Sequence, residues 1–337
     1  MNYHHKPKLT STEISFLWTT FIQDSLAICI LEYFKATRMD EDLDPSIDYG
    51  LHASNSHLNH IKTIFNNEEI PIPIGFKVEQ DFFTNGSRLF PDVYMFRFLE
   101  HMARGGLTNY AMARSTTYRK DVRQFAQSCL DHSSNLYDLV IETAQNKGIL
   151  VRSPSIAYPV RVEYVQKAKF FSDGFLDEDR PLLGVEISHL GTNIEASYVV
   201  ATTLLGYAQV ASDKKLSQLF VRGYEIAKKH SEIFSSILRK ENVHAPADWD
   251  SSITNATKPG LSDRLMVNNI ASMISIGMSN YGTAVGATLR KDLLIHYARL
   301  SAELGQYAED LAELMIRNRW MEKPPQVINR EELINKD

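Results

Sequence analysis

The sequence predicts an all-α protein made by tandem duplication, with two four-helix bundles in one chain. Three observations carry this. Residues 281–325 repeat the layout of residues 110–154: Tyr110/Tyr281, Thr117/Thr288, Arg119/Arg290, Lys120/Lys291, Asp121/Asp292, Glu142/Glu313 and Pro154/Pro325 coincide without a gap at a spacing of 171 (281 − 110). Apolar residues recur at helical spacing in four segments of each half. Within each half, the second and third segments are separated by a long stretch without helical period.

The first segment starts in LTSTEIS, with Ser11 or Thr12 as the expected N-cap, and is answered by LLGVEIS at a spacing of 173 (182 − 9). Ile14, Leu17, Phe21, Ile28 and Leu31 form its apolar face, matched by Ile187, Leu190, Ile194, Ala201 and Leu204. The second helix is expected over 45–67, where Gly50 pairs with Gly223 and His57 with His230. EEIPIPIGF and ENVHAPADW follow, rich in helix breakers, and align Pro73 with Pro246 and Phe76 with Trp249. Here the spacing falls from 173 to 171, so the second connection is two residues shorter. About twenty residues of extended chain can span the length of such a helix. That is what a crossover bundle needs, and it favours a ferritin-like, up-down-down-up topology.

The third helix is expected from Pro91–Asp92, matched by Ser262–Asp263. Its stripe is Met95, Leu99, Met102, Gly106 and Asn109, repeated as Met266, Ile270, Met273, Gly277 and Asn280. Asn109 and Asn280 read as polar core residues bonding across helices. Helix four is expected after Thr117 and Thr288 as N-caps, with Gly148 ending it in the first half. The domains are then 1–150 and 185–325. Residues 151–184, rich in aromatic and β-branched side chains, are expected to be an extended linker packed across the bundles, and 326–337 a tail.

Composition narrows the function classes. The 337 residues suit two domains, and 44% hydrophobic with 23% charged residues is ordinary for a globular chain. A formal charge of −5 gives no electrostatic footprint for nucleic acid. The run from Ile14 to Phe34 contains Gln23, Asp24 and Glu32, which argues against a membrane span. Cys29 and Cys129 lie in apolar helical segments and read as buried thiols of a reducing compartment. With no apolar core near the start resembling a signal peptide, a cytoplasmic location is the default expectation.

The sequence contains no phosphate loop, nucleophile elbow, H-E-x-x-H pair or C-x-x-C, so a non-enzymatic role is favoured. The remaining chemistry would sit in a bundle core. Helical projection puts His57 in the stripe of helix two, with His132 and Asp24 at the edges of helices four and one. The second half places His230, Glu303 and Ser197 there, with His296 nearby. Asp24, His57 and His132, or His230, His296 and Glu303, could hold a divalent ion such as iron, manganese or zinc, or a polar ligand. Neither half has the two Glu-x-x-His motifs of a di-metal carboxylate bundle. A buried histidine satisfied by hydrogen bonds is the plainer reading. Glu100 and His101 project off the stripe of helix three.

The motifs IPIGF, RLFPD, YRKDVRQF, KGILVRSP, RPLLGVEISHL, KKHSEIF and NYGTAVGATLRKDL resemble the Bacillus proteins grouped as domain of unknown function 3231, over about residues 9–325. The ending AELMIRNRWMEKPP is similar to that of coat-F type spore coat proteins. The resemblance implies two tandem ferritin-like bundles and no established activity or catalytic set. It also implies, by analogy, a spore-associated structural role with coat proteins or further copies of the chain as partners. A metal-binding bundle is the alternative, and a small-molecule sensor using a core cavity or inter-bundle groove is a third reading.

Overall fold

A computed structural model describes residues 7–166, 170, 180–246, 253–330 and 334. The first half contains α1 (Ser11–Thr37), α2 (Asp44–Asn67), a one-turn α3 (Val78–Asp81), α4 (Asp92–Thr116) and α5 (Lys120–Asn146). The second contains α6 (Gly184–Val210), α7 (Lys214–Lys240), α8 (Asp263–Ala287) and α9 (Lys291–Arg317). In each half the first two long helices form one hairpin and the last two another. The hairpins pack together with one crossover between them, as the sequence predicts.

The helix starts are built alike. Thr10, not Ser11 or Thr12, caps α1: its hydroxyl accepts from the Glu13 amide, and Glu13 accepts from the Thr10 amide at 2.8 Å. The other Glu13 oxygen accepts from the amides of Tyr118 (2.9 Å) and Arg119 (2.7 Å), which clamps the start of α5 to the start of α1. Glu186 repeats the clamp, accepting from the Leu183 and Leu289 amides, the Thr288 hydroxyl and Arg180. Thr117 and Thr288 do not cap α5 and α9; Arg119 and Arg290 hold the N-cap positions. Each arginine forks onto the aspartate two residues later and reaches the end of the preceding hairpin, Arg119 to Glu68 and Arg290 to Glu241. The repeated Arg-Lys-Asp is therefore a turn lock. Gly148 ends the first half with a φ of 69°, a value that favours glycine.

α1 is long and apolar enough to cross a membrane by length and composition alone, yet 61% of its apolar window is buried within the protein. Its faces pack on α2, α4, α3 and α8, which makes it a core helix.

The two crossovers meet and form the seam between the bundles. The Phe83 amide donates to Gly260 O at 2.8 Å, Ser262 to Asp81 O at 3.0 Å and Thr254 to Leu89 O at 3.1 Å. A Cβ at Gly86 would lie 2.2 Å from the Gly260 Cα, and one at Gly260 would lie 2.4 Å from the Tyr33 ring, so both crossovers need glycine here. Asp81, 2% exposed, accepts from Ser262 and Arg264 across the seam. Trp249, the expected partner of Phe76, lies outside the described residues.

The linker departs from expectation. Pro154 and Ile156 lie against α6 near Gly191 and Gly184, but Tyr158, Val160, Val162 and Tyr164 are 93, 99, 92 and 88% exposed. A period-two apolar pattern is suited to a sheet, and no strand exists among the described residues to receive it. Residues 167–169, 171–179 and, in the tail, 331–333 and 335–337 lie outside the described residues.

Candidate functional site

Three helices bring Asp24, His57 and His132 together in the first bundle. Asp24 of α1 and His57 of α2 are 6% and 4% exposed, and His132 of α5 is half-buried. His57 Nδ1 lies 3.0 Å from Asp24 Oδ2, and its Nε2 lies 2.8 Å from His132 Nδ1. Ser54, one turn before His57, donates to the other Asp24 oxygen at 3.0 Å. Phe125 and Tyr110 stand edge-on to the His57 ring, at 5.7 and 6.0 Å between centroids. Burial lowers the basicity of His132, with the neighbouring His57 and His52 next in importance. With Asp24 ionised, His57 donates from Nδ1 and accepts from His132 Nδ1–H. His132 Nε2 then carries the free lone pair at the end of the chain.

The second bundle uses the same histidine differently. Ser197 replaces Asp24, and His230 Nδ1 instead lies 2.9 Å from the Tyr281 hydroxyl. His230 Nε2 lies 3.0 Å from Glu303, whose other oxygen pairs with Lys229. Burial lowers the basicity of His230 and would raise Glu303, but the hydrogen bonds from Lys229 and His230 outweigh it and lower the Glu303 carboxyl. This chain is closed, with each end tied to protein. His296 stands at the position of Phe125, half-buried, and no hydrogen bond among the described residues joins it to His230 or Glu303.

The candidate donors are not gathered around a common point. In the first bundle they form a line, with the two ring nitrogens of His57 turned to different partners. In the second, Lys229 already neutralises Glu303. Among the described residues, no group of three His, Cys, Asp or Glu side chains is placed to hold a metal ion.

A cavity of about 500 Å³ opens beside the first chain. Asp24, His57, His132 and Tyr110 form part of its polar wall, and Leu26, Ile30, Phe98, Met102 and Leu136 much of its apolar one; Met273 and Ile276 of α8 close it from the second half. The equivalent core of the second bundle is filled by larger groups. Tyr297, Leu304 and Tyr307, 1, 6 and 1% exposed, stand where the first half has Ala126, Ser133 and Leu136. Tyr307 reaches so far that a Cβ on Gly223 would lie 2.3 Å from its hydroxyl.

Asn109 and Asn280 do not enter the bundle cores as polar core residues. Asn109 is exposed and Asn280 half-buried; both line a second cavity, between the bundles, and Asn109 lines the core cavity as well. The inward face at this point is carried by the next residues, Tyr110 and Ala113 in α4 and Tyr281 and Ala284 in α8, which leaves Asn109 and Asn280 to the side. Ser54, Tyr281 and Lys229 were missed as members of the histidine chains, and Tyr110 as the ring against His57. The repeated Tyr110/Tyr281 pair was the signal for two of them. Glu100 does leave its own bundle stripe as expected, yet it is only 4% exposed, because the other bundle covers that face.

The family described as Protein of unknown function (DUF3231) matches the chain twice, over residues 1–162 and 170–333. The chain therefore belongs to that family, and its two matches coincide with the two helical halves. No curated protein and no solved structure matches it.

Proposed function

We propose that this member of the family is a non-enzymatic small-molecule-binding protein, in which the first bundle holds the ligand and the second is a filled scaffold. The observation that carries this is the asymmetry of the duplicated core: about 500 Å³ of cavity beside an open-ended Asp24–His57–His132 chain, against tyrosines in the equivalent positions. Such a volume lies within the range of roughly 300–1,000 Å³ usual for small-molecule sites. The ligand has an apolar body against Phe98, Met102 and Leu136 and one hydrogen-bonding head at His132 or Tyr110.

The test is a thermal-shift titration with 4-propylphenol on the full chain. Wild type should gain about 2.7 kcal/mol at a hundredfold excess over Kd. Leu136→Tyr, which copies the filled second half, should abolish the gain without unfolding the protein. No shift in wild type, or an equal shift in the variant, overturns the reading.

A second reading, assembly with further copies or with coat proteins, rests on the AELMIRNRWMEKPP ending and the exposed Tyr158–Val160–Val162–Tyr164 strip. For self-assembly, antiparallel pairing about Val162 would set Arg161 of one copy against Glu163 of another. Light scattering across a concentration series tests this: a monomer at every concentration counts against it. Absence from spore fractions counts against the coat role. The metal-binding alternative has less support, because its donors do not converge.

A further inference from the structure

A second cavity, of about 400 Å³, lies between the bundles where α4 meets α6 and α8. We infer that it binds a neutral, hydroxyl-rich small molecule of sugar or cyclitol size. The reason begins with a buried charged network, of which Arg97 also holds the Ile149 carbonyl just past the end of α5. Arg97 pairs with Glu100 at 2.8 Å, and Arg104 bridges Glu100 at 2.6 Å and Glu195 of the other bundle at 2.9 Å. Arg97, Glu100 and Glu195 are 5, 4 and 7% exposed. Burying such a network has a desolvation cost that its mutual attraction often fails to repay.

The duplication supplies an internal control. The sister groove, where α8 meets α1, carries Asn268, Ala271, Ser272, Ser275 and Ile22 in place of Arg97, Glu100, His101, Arg104 and Glu195. Small, uncharged residues and one hydrogen bond, Gln23 Nε2 to Ser272 Oγ at 2.8 Å, hold that side together. The charged set is thus dispensable for joining two such bundles: the larger cavity runs into this sister groove, lined there by Gln23, Ser272 and Ser275, with none of these charged side chains.

The chemistry of the lining selects the occupant. The two guanidinium groups and two carboxylates cancel, and His101 adds no charge at neutral pH, since burial and then Arg104 push it down to about 4. An anion would face Glu100 and Glu195, and a cation Arg97 and Arg104, so a neutral molecule is the one that fits. It must also bring hydrogen bonds. Among the described residues, His101 Nε2 is buried without a partner, and Glu100 Oε1, though within ion-pair distance of Arg104, lacks a well-directed hydrogen bond. Leaving such atoms against an apolar occupant costs about 1–3 kcal/mol each. Hydroxyls, which donate and accept, satisfy both atoms together with the Asn280 amide. The Tyr137 ring in the same wall offers an apolar surface for the carbon face of a pyranose or cyclitol.

Saturation-transfer NMR on the full chain tests this, with glucose, N-acetylglucosamine and myo-inositol as neutral probes and acetate and ethylammonium as charged controls. Transfer to at least one neutral probe at millimolar concentration, and to neither control, is expected. Glu195→Gln and the rim variant Asn280→Ala should each weaken binding about tenfold with the helical circular dichroism intact, and His57→Gln should leave it unchanged. No transfer to any neutral probe, preference for a charged control, or equal binding by a folded Asn280→Ala overturns the inference. The two cavities share His101 and Asn109, so the variants separate them: Glu195 and Asn280 line only this one, and Leu136, used with 4-propylphenol, only the other.

Discussion

His57 and His230 occupy the same step of duplicated helices, yet they live in different surroundings. His57 joins Asp24 to a half-buried His132 beside an open cavity. His230 is locked between Tyr281 and a Glu303 already paired with Lys229. The backbone repeat is common to both halves, so the difference comes from a few side chains: Asp24 against Ser197, His132 against Glu303, Leu136 against Tyr307. One copy has kept space and an unfinished hydrogen-bond chain, and the other has spent both on packing.

The comparison can be broken most severely at the feature the halves share. Glu186 accepts from Arg180, Thr288 and two backbone amides; burial would raise its carboxyl, but these hydrogen bonds win and hold it at about 2 against an ordinary 4.5. Its unfolded form binds protons first, so its stabilising effect is present above pH 4.5 and is lost as pH falls toward 2. Glu186→Gln should lower stability at neutral pH by several kcal/mol, about 3–5 for a broken buried pair. It should also flatten the acid limb of a stability–pH profile measured by urea unfolding. An unchanged acid limb would remove Glu186 as a clamp.

A smaller effect separates the cores directly. Gly223→Ala should cost about 1–3 kcal/mol by overpacking, because its Cβ would meet the rigid Tyr307 ring at 2.3–2.9 Å. Gly50→Ala meets only the ends of Leu31 and Met102 at 3.0 and 3.6 Å. The helix-propensity gain of roughly 0.5–1 kcal/mol should leave it neutral or stabilising. Tyr307→Leu should reduce the cost of Gly223→Ala in a double-mutant cycle. Equal costs for the two glycines would mean that the cores are filled alike.

The smallest expected effect concerns metals. Adding iron(II), manganese or zinc to protein purified without chelator should leave the melting temperature unchanged, with sub-stoichiometric metal by elemental analysis. A stoichiometric metal with a raised melting temperature would show that the Asp24–His57–His132 line rearranges into a coordinating set.

Helix order, crossover position and duplicated histidines were legible because each depends on local pattern: apolar spacing, breakers and a register shared by two copies. The caps were less legible, since Thr10 competes with three neighbouring hydroxyl residues and only Glu13 decides among them. The burial of Glu100 was not legible, because a helical stripe identifies only the face toward its own bundle. It says nothing of what covers the opposite face.

That the chain is two copies of one four-helix unit can be read from its residues, because the period of apolar residues and the spacing of the repeat are properties of the chain alone. Only the tertiary structure decided that the crossovers pair into a seam, that the linker strip stands exposed, and that one bundle keeps a cavity where the other is filled. Those outcomes depend on which side chains meet across hundreds of residues. Volume and hydrogen-bond completion are settled by such meetings and not by position in the chain.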